Sequence, residues 1–328
     1  MAGSVELVTV AGQPGYCLRH ACGDRVLVLQ QGGQVLSWMT ADGVERMYLS
    51  PELPAARQPA RGGVPVIFPQ FNQRGPDFQL PRHGFARNLA WVLVPSSAQG
   101  QARSAGAHPS SGVSVTGGAT ERDKPAQAGI ASDPVPVMSR GSAIDTADMT
   151  LCLSDSDATR KYWAFAFRLD LHISLAPNRL TLTMQVQNHS AEPMSFTAAL
   201  HTYLTVPELL AAELHGLAGV RRLDTIRDEP GTGPGGALRF TGPIDDIYFD
   251  LPRPLRLDSA LGRLQIEVLG GFADTVVWNP GPDGAAELAD MPDEDWRRML
   301  CVEAAVIGRP AQLPAGGVWS GTQRFSLL

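Results

Sequence analysis

The sequence predicts an all-β protein, built as a large antiparallel β-sandwich with few short helices. The main observation is that apolar and polar residues alternate along many segments, as they do where neighbouring strand residues point to opposite faces of a sheet. Turn-forming residues such as Pro177 and Asn178 separate these segments. Few segments repeat apolar residues at helical spacing. The chain has 328 residues, so we expect one such domain over residues 1–328.

The alternating segments predict strands along the whole chain. The first prediction is a hairpin at residues 25–39, which turns over a Gly-Gly pair. Residues 195–206 are predicted as a strand with one polar face. Two short helical segments are expected, at 207–216 and 293–300. The other predicted strands are residues 168–175, 179–188, 263–270, 274–280, 299–306 and 323–328.

One long segment, residues 96–150, differs from the rest of the chain. It contains no Leu, Phe, Tyr or Trp and consists mostly of Ala, Ser, Gly and Pro. Such a segment cannot bury enough apolar area to offset the entropy lost on ordering. The strand patterns on both sides of it are similar, so we predict a flexible surface insertion that interrupts the single domain.

Composition and charge exclude several classes of protein. The hydrophobic fraction of 44% and the charged fraction of 18% are typical of a globular domain. The net charge of -6 argues against a nucleic-acid partner, because phosphate-backbone binding needs a basic face. No apolar run approaches the roughly 18 residues of a membrane span. The N-terminus shows no signal-peptide pattern, so we expect a cytoplasmic protein with reduced cysteines and no membrane partner.

Residues 61–87 concentrate positive charge on a rigid, apolar background. The segment contains four arginines and a histidine among Gly, Pro and Phe residues. Fixed guanidiniums can bind a carboxylate or a phosphate locally, even where the net charge is negative. The alternative is that these arginines pair with surface acids. If residues 82–87 are extended, His83, Phe85 and Arg87 lie on one side.

A histidine lies on the polar face of the strand predicted at residues 195–206. In this strand Thr197, Ala199, His201 and Tyr203 would point the same way. A polar face with small neighbours suits the floor of a cleft. The alternative is a structural histidine held by hydrogen bonds. The chemical interpretation is favoured by a carboxylate further along the chain.

That carboxylate is Glu303, which interrupts an apolar predicted strand and shares a face with Cys301 and Ala305. An unpaired carboxylate in such surroundings is strongly destabilised or becomes neutral. Loss of hydration would raise its pKa toward neutrality, where a general base works best. The alternative is an ion pair with Arg297 or Arg298.

Two further signals are weaker, and several motifs are absent from the sequence. Asp245 belongs to an acidic doublet of the kind that usually caps a turn. Trp278 suits either a core or a sugar cleft, and tryptophans are more often found in cores. No HxH, HExxH, GxxxxGK[ST] or GxSxG pattern is present. We therefore expect chemistry that needs no metal and no cofactor.

Six motifs together resemble one known family. In chain order they are RGGVPVIFPQF, LPRHGFARNLAW, ALHTYLTV, DDIYFD, VVWNP and MLCVEA. This set resembles the glucose-6-phosphate 1-epimerases, or hexose-6-phosphate mutarotases, of the galactose-mutarotase-like group. The resemblance implies a large antiparallel supersandwich with an open sugar cleft on one sheet.

The resemblance also implies catalytic roles for two residues. His201, in the LHTY motif, would be the general acid that protonates the ring oxygen of the sugar. Glu303, in the CVE motif, would be the base that takes the proton of the anomeric hydroxyl. The sugar ring would open to the aldehyde, rotate about C1 and close as the other anomer.

The resemblance assigns substrate binding to residues of the charged segment and to one aspartate. Arg61 and Arg87 would hold the phosphate, His83 would lie beside the sugar, and Asp245 would bind a sugar hydroxyl. The family commonly has Gln where this chain has Arg82. This extra guanidinium would strengthen phosphate binding or change which sugar fits.

These observations predict a hexose-6-phosphate 1-epimerase whose partner is a small sugar phosphate. One alternative is an aldose 1-epimerase for unphosphorylated sugars, against which the arginines argue. Another is a non-catalytic carbohydrate-binding protein on the same fold, which would need no acid and base together. The sequence allows several oligomeric states, a monomer among them.

Overall fold

The computed structural model describes residues 3–52, 58–73, 79–95 and 145–328. Within these ranges the strands are β1 (Gly3–Val10), β2 (Gln13–His20), β3 (Arg25–Leu29), β4 (Val35–Met39), β5 (Val66–Ile67), β6 (Val92–Leu93), β7 (Ala147–Ser154), β8 (Phe167–Ala176), β9 (Arg179–Asn188), β10 (Met194–Leu200), β11 (Tyr203–Thr205), β12 (Glu213–His215), β13 (Arg221–Asp224), β14 (Glu229–Thr232), β15 (Leu238–Arg239), β16 (Ile244–Tyr248), β17 (Leu255–Ser259), β18 (Gly262–Gly270), β19 (Asp274–Asn279), β20 (Met299–Leu313) and β21 (Val318–Leu327). The helices are α1 (Asp157–Arg160), α2 (Gly281–Ala286) and three 3-10 segments, Ala86–Asn88, Leu209–Ala211 and Asp293–Arg298.

The strands form three sheets, and the ladders between them are all antiparallel in the described ranges. One sheet contains β1 to β4 in chain order. An eight-stranded sheet has the order β14-β13-β16-β19-β20-β10-β5, with β11 paired to β20 beside this path. A nine-stranded sheet has the order β15-β12-β17-β18-β21-β9-β8-β7-β6. The prediction of a large antiparallel β-sandwich with few short helices is confirmed.

The two large sheets share one apolar core. Leu182 and Met184 of β9 and Val302 and Ala304 of β20 belong to the same cluster of buried side chains. Along β9, every second residue is buried and its neighbours are partly exposed, which is the burial pattern of a strand with one face on a core. Burial of this apolar area, at roughly 25 cal/mol per Å², is the main stabilising contribution to the sandwich.

The outer face of the eight-stranded sheet carries a second, smaller apolar cluster. Ala199, Val276 and Ala305 belong to it. Each of them is next in sequence to a residue of the main core, so its side chain points to the opposite face of the sheet. This face is therefore not simply solvated, and it forms the apolar floor of a cleft.

Several strands begin and end where the sequence predicts them. The strand predicted at residues 179–188 is β9, and the strand predicted at 168–175 is β8 with one more residue at each end. The hairpin predicted at 25–39 is the β3–β4 pair. The short helical turn predicted at 293–300 is the 3-10 segment Asp293–Arg298.

The helical prediction for residues 207–216 is wrong apart from one turn. The segment forms the 3-10 turn Leu209–Ala211 and then enters β12. Leu214 in β12 is fully buried and pairs with both β15 and β17. Tertiary pairing on both sides of the strand therefore overrides the helical propensity of its Leu and Ala residues. No helix in the described ranges is long and apolar enough to cross a membrane.

The predicted insertion at residues 96–150 falls mostly outside the described residues, which resume at 145. Its predicted end is wrong, because β7 begins at Ala147 and pairs with β8. Ala147 and Met149 are buried in the main core, so this part of the segment has apolar anchors without Leu, Phe, Tyr or Trp. The strand before the segment, β6, pairs with β7, so the two ends of the segment lie on neighbouring strands.

Candidate active site

A cleft of about 200 Å³ opens on the outer face of the eight-stranded sheet. Its floor is formed by side chains of β16, β19 and β20, among them Ile247 and Val276. The seven site residues predicted from the sequence all line this cleft, although they come from four separate parts of the chain. They are Arg61, Arg82, His83, Arg87, His201, Asp245 and Glu303.

The ladder between β20 and the β10–β11 segment places His201 beside Glu303. Leu200 pairs with Ala304 and Tyr203 pairs with Cys301, so His201 occupies the position opposite Glu303 in the same register. His201 lies between β10 and β11, where its backbone N–H donates to the Pro65 carbonyl at 3.0 Å. The His201 Nε2 and Glu303 Oε1 atoms are 3.4 Å apart.

Burial disfavours the charged form of both groups, as the directions of their pKa shifts show. Burial, followed by the negative charge of Asp245, raises the pKa of Glu303 well above its usual range. Burial, followed by the positive charges of Arg87 and Arg61, lowers the pKa of His201 to about 3. Among the described residues, His201 Nδ1 and Glu303 Oε2 have no hydrogen-bond partner. Both residues line the cleft.

The alternative partners considered for Glu303 lie elsewhere. The guanidinium of Arg297 is near Glu294 and Glu208, and that of Arg298 is near Asp295. The carboxylate of Glu303 is therefore not neutralised by either arginine.

Arg61 is already held by an acid, whereas no acid of the described ranges holds the other two arginines of the cleft. Its Nε donates to Asp290 Oδ1 at 2.7 Å, and its Nη1 donates to the Tyr203 hydroxyl oxygen at 3.3 Å. Arg87 donates to the backbone carbonyl of Arg82 at 3.1 Å. In the described part of the chain, no carboxylate lies within 4.0 Å of the guanidiniums of Arg82 or Arg87. Burial, with the neighbouring positive charges of Arg82 and Arg61, lowers the pKa of Arg87.

A second cavity, of about 270 Å³, lies against Arg61 and Arg87 but not against Arg82. Arg61, Arg87, His201 and Tyr203 line both cavities. Glu303 lines only the first cavity. The guanidiniums of Arg61 and Arg87 therefore border both the cavity lined by Glu303 and the cavity lined by Asp290.

The loop that carries His83 and Arg87 is not extended, so the prediction that Phe85 shares their side is wrong. His83 and Gly84 both have positive φ, at 65° and 66°, and Ala86–Asn88 is a 3-10 turn. This reversal sends Phe85 into the core against Phe68, with ring centroids 6.4 Å apart. The His83 ring stays in the cleft, where its centroid is 5.8 Å from that of His201.

Asp245 and Trp278 face each other across the β16–β19 ladder, and both line the cleft. The next aspartate, Asp246, points to the opposite face, where it accepts hydrogen bonds from Arg222 and Tyr248. Trp278 is partly buried, packs against both apolar clusters and lines the cleft, so each of the two interpretations of it holds in part. Its ring centroid lies 6.1 Å from that of His201, which makes it a wall of the cleft.

Four further cleft residues were not singled out by the sequence: Phe71, Asn72, Thr225 and Leu288. Asn72 has a φ of 52°, and its N–H donates to His83 Nδ1 at 3.2 Å. Asn tolerates this left-handed conformation better than most residues, which is the one signal that the sequence offered. Asp290, which orients Arg61, also went unrecognised. Within the described residues, no group of three or more His, Cys, Asp or Glu side chains could hold a metal ion.

The fold and the cleft define a galactose-mutarotase-like β-sandwich. The comparison with solved structures agrees with this fold. A crystal structure of a provisionally named mutarotase from Salmonella typhimurium has a TM-score of 0.75, with 23% identity over 98% of this chain and 92% of that one. The family model for aldose 1-epimerases matches residues 14–108 and 139–326. The chain belongs to the aldose 1-epimerase family.

Two curated relatives carry the same provisional name, glucose-6-phosphate 1-epimerase. The relative from Cenchrus ciliaris is 30% identical over 330 residues, which cover 98% of this chain and 88% of the relative. The relative from Salmonella typhimurium is 30% identical over 288 residues, which cover 86% of this chain and 80% of the relative.

Proposed function

We propose that the protein is a hexose-6-phosphate 1-epimerase that interconverts the α and β anomers of glucose 6-phosphate or a similar sugar phosphate. One observation carries this proposal. An imidazole and a carboxyl group lie 3.4 Å apart in a cleft that is also lined by Arg82 and Arg87, which have no carboxylate within 4.0 Å among the described residues. The imidazole and the carboxyl group suit proton transfer, and the two guanidiniums suit the binding of an oxyanion.

The proposed reaction needs one acid and one base near a single carbon atom. The ring oxygen and the anomeric hydroxyl of a hexose are both bonded to C1, so two closely spaced groups can reach both. His201 gives a proton to the ring oxygen while Glu303 takes the hydroxyl proton, and the C1–O5 bond breaks. After rotation about C1, the reverse transfers close the ring and restore both groups.

The arginines would fix the sugar by its phosphate. Arg87 and Arg82 offer guanidiniums that no described carboxylate neutralises, and Asp290 holds Arg61 in place at 2.7 Å. Such charge-assisted contacts are stronger and more directional than neutral hydrogen bonds. Asp245 would accept a hydrogen bond from a sugar hydroxyl, and Trp278 would offer an apolar wall to the ring.

The rival functions differ in what they require of these residues. An epimerase for unphosphorylated aldoses needs the acid and the base but no group of free guanidiniums. A carbohydrate-binding protein needs neither a buried carboxyl nor a histidine beside it. The provisional names of both relatives support phosphorylated hexoses. The cytoplasmic location, the lack of nucleic-acid and membrane partners and the role of each site residue stay predictions.

The test is anomer exchange followed by NMR, with glucose 6-phosphate and glucose compared for the parent and for Arg87→Ala. The parent should exchange the phosphorylated sugar much faster. Arg87→Ala should lose about 1.5–3 kcal/mol of transition-state stabilisation, or roughly 10- to 150-fold in kcat/KM, for glucose 6-phosphate only. Arg168→Ala is the matched control, since Arg168 pairs with Asp170 on β8 in the other large sheet. Equal losses on both sugars in Arg87→Ala would contradict phosphate recognition.

A further inference from the structure

The imidazole of His201 lacks the contact that usually orients a histidine in proton transfer. Such a histidine is commonly held by a hydrogen bond to its other ring nitrogen. Within the described residues, His201 Nε2 lies 3.4 Å from Glu303 Oε1, and Nδ1 has no hydrogen-bond partner. The plane of the imidazole is therefore not fixed by a hydrogen bond from the described residues to Nδ1.

The ring of Tyr203 supplies the orientation instead. It is stacked on the imidazole of His201, with the centroids 4.8 Å apart and 12° between the planes. His83 and Trp278 meet the same imidazole at steep angles of 75° and 76°, with centroids 5.8 and 6.1 Å away. Tyr203 is buried, and its backbone pairs with Cys301 on β20, the strand of the base. Its flat face is therefore the surface that sets the plane of the imidazole.

The hydroxyl of Tyr203 is tied to two residues from distant loops. Arg61 Nη1 donates to the hydroxyl oxygen at 3.3 Å, and Arg61 Nε donates to Asp290 Oδ1 at 2.7 Å. A guanidinium carries five N–H donors, so these two bonds leave others for a substrate. The carboxylate of Asp290 thus holds the guanidinium, and the guanidinium holds the tyrosine.

We propose that Asp290 and Tyr203 are positioning residues for His201, joined by Arg61 into a chain that fixes the plane of the imidazole. The inference rests on the role proposed above for His201. Asp290 lines the second cavity and not the cavity lined by Glu303. Its effect on the reaction therefore passes through Arg61.

Orientation of the imidazole and presentation of Arg61 to a phosphate have separate effects on catalysis. A misoriented imidazole slows proton transfer for any aldose, with or without a phosphate group. A misplaced Arg61 weakens only the binding of the phosphorylated sugar. Proton transfer is sensitive to position, since a misplacement of about 1 Å can cost roughly 10²-fold in rate.

The experiment is a double-variant cycle of Asp290→Ala and Tyr203→Phe, in which NMR follows anomer exchange of glucose 6-phosphate and of glucose. Tyr203→Phe keeps the stacked ring and removes only the hydroxyl that Arg61 holds. Each single variant should lower kcat for glucose 6-phosphate and kcat/KM for glucose by about 3- to 30-fold, because the ring loses its anchor but stays in place. Asp290→Ala should lower neither value further in the Tyr203→Phe background, because its effect needs the hydroxyl.

Three results would overturn the inference. The first is an unchanged kcat in Asp290→Ala, whatever its KM; the Asp290 side chain is 35% exposed, so its removal leaves no buried cavity. The second is a loss confined to glucose 6-phosphate, which would mean that Asp290 serves only the phosphate contact. The third is additive losses in the double variant, because residues that act through one chain are not additive.

Two further variants test the contact between Asp290 and Arg61 itself. Asp290→Asn removes the charge but keeps an oxygen that can accept from Arg61 Nε, whereas Asp290→Leu has a similar size and no acceptor. The Asn variant should recover part of the kcat that the Leu variant loses. Equal values of kcat in the two variants would contradict an orienting hydrogen bond.

The chain offers a matched control for each variant of the cycle. Asp258→Ala removes a contact of the same kind, since Arg256 Nε donates to Asp258 Oδ1 at 2.7 Å on β17 of the nine-stranded sheet. Tyr48→Phe removes a buried tyrosine hydroxyl, which donates to Asp295 Oδ2 at 2.8 Å. Both controls should keep the kcat of the parent, and a loss of kcat in them equal to that in Asp290→Ala would contradict the inference.

The outcome can be separated from that of the proposed function. Faster exchange of glucose 6-phosphate than of glucose, with an unchanged kcat in Asp290→Ala, would contradict only the inference. A parent that exchanges both sugars equally fast would contradict only the proposed substrate, because the cycle measured with glucose still reports on the chain.

Discussion

Glu303 and His201 form the smallest part of the site on which the chemistry depends. We expect them to act as one unit, because neither proton transfer has a use without the other. Glu303→Gln or His201→Gln alone should lower anomer exchange by about 10² to 10⁴-fold, the usual contribution of general acid–base catalysis. The double variant should be little slower than either single variant, since residues that act together are not additive.

The matched control for these variants is Glu294→Gln, because the Glu294 side chain is 82% exposed and only pairs with Arg297 on the surface. Its exchange rate should equal that of the parent. Circular dichroism and the thermal midpoint show whether each variant is folded. Near-normal exchange in folded Glu303→Gln would refute the assignment of Glu303 as the base.

The buried carboxyl should also affect stability in a pH-dependent way. Because the folded pKa of Glu303 is raised, the folded state holds a proton that the unfolded state has already lost above its ordinary pKa. The contribution of this group to the free energy of unfolding therefore falls as pH rises, by at most about 1.4 kcal/mol per pH unit. Glu303→Gln lacks this contribution, so its Tm should increase relative to the Tm of the parent as pH rises.

The measurement is the Tm of both proteins between pH 7 and 8.5. This range lies above the titration of His201, whose lowered pKa of about 3 acts on stability only in acid. The surface variant Glu294→Gln should keep a constant Tm difference from the parent over the same range. A Tm difference between Glu303→Gln and the parent that stays constant as pH rises would mean that Glu303 is already ionised in the folded state.

At the residue scale, the sequence predicts which side chains line the cleft better than it predicts the contacts between them. His201 and Glu303 can be predicted, because each is a polar residue in a mostly apolar segment. The contact between Arg61 and Asp290 cannot, because it joins loops 229 residues apart. Trp278 is ambiguous in sequence, because a partly buried cleft wall and a core residue show the same apolar pattern.

Among the elements, the loop from Arg82 to Asn88 decides how three of the predicted binding residues face the cleft. Gly84 has a φ of 66°, and a Cβ at this position would lie 2.1 Å from the Phe68 carbonyl oxygen. Gly84→Ala therefore combines a left-handed conformation with a backbone clash. We expect it to lower stability by more than the roughly 1–2 kcal/mol of the conformation alone and to lower exchange of glucose 6-phosphate.

Gly43→Ala separates the two effects. Gly43 has a φ of 81°, but a Cβ there would meet no atom within 4 Å. Its variant should show only the conformational cost and should keep the activity of the parent. Chemical denaturation measures both stabilities. Equal losses of stability in the two variants would mean that the contact with Phe68 relaxes without cost.

The errors in predicted elements have a common cause. Residues 207–216 contain good helix formers, but β15 and β17 flank Leu214 and impose a strand. The start of β7 was missed because Ala147 and Met149 are weak strand formers. They belong to a strand because this segment pairs with β8. Both cases depend on partners distant in sequence, whereas β8 and β9 are predicted from their own alternation.

At the scale of the whole molecule, the predicted insertion that begins at residue 96 should be dispensable for catalysis. None of the predicted site residues lies in it, and β6 and β7 on either side are paired with each other. Replacement of residues 97–143 by a short Gly/Ser linker keeps the start of β7. It should leave anomer exchange unchanged and change stability little, since loop closure varies by only about 0.6 kcal/mol per doubling of length.

The thermal midpoint and the exchange rate of the shortened variant are compared with those of the parent. The control is a variant in which Gly and Ser replace the segment at its full length. An unfolded product, or a folded one with turnover a hundredfold lower in the short variant alone, would show that the segment belongs to the working structure.

The facing positions of His201 and Glu303 on one ladder have a consequence for how this protein can diversify. The spacing of the two reacting groups is set by backbone pairing between β20 and the β10–β11 segment. The arginines, by contrast, lie outside the strands of the sheet. New substrates can therefore be accommodated by exchange of connecting segments while the chemistry is retained. A library for altered sugar preference should vary residues 58–60 and 82–88 and leave the strands untouched.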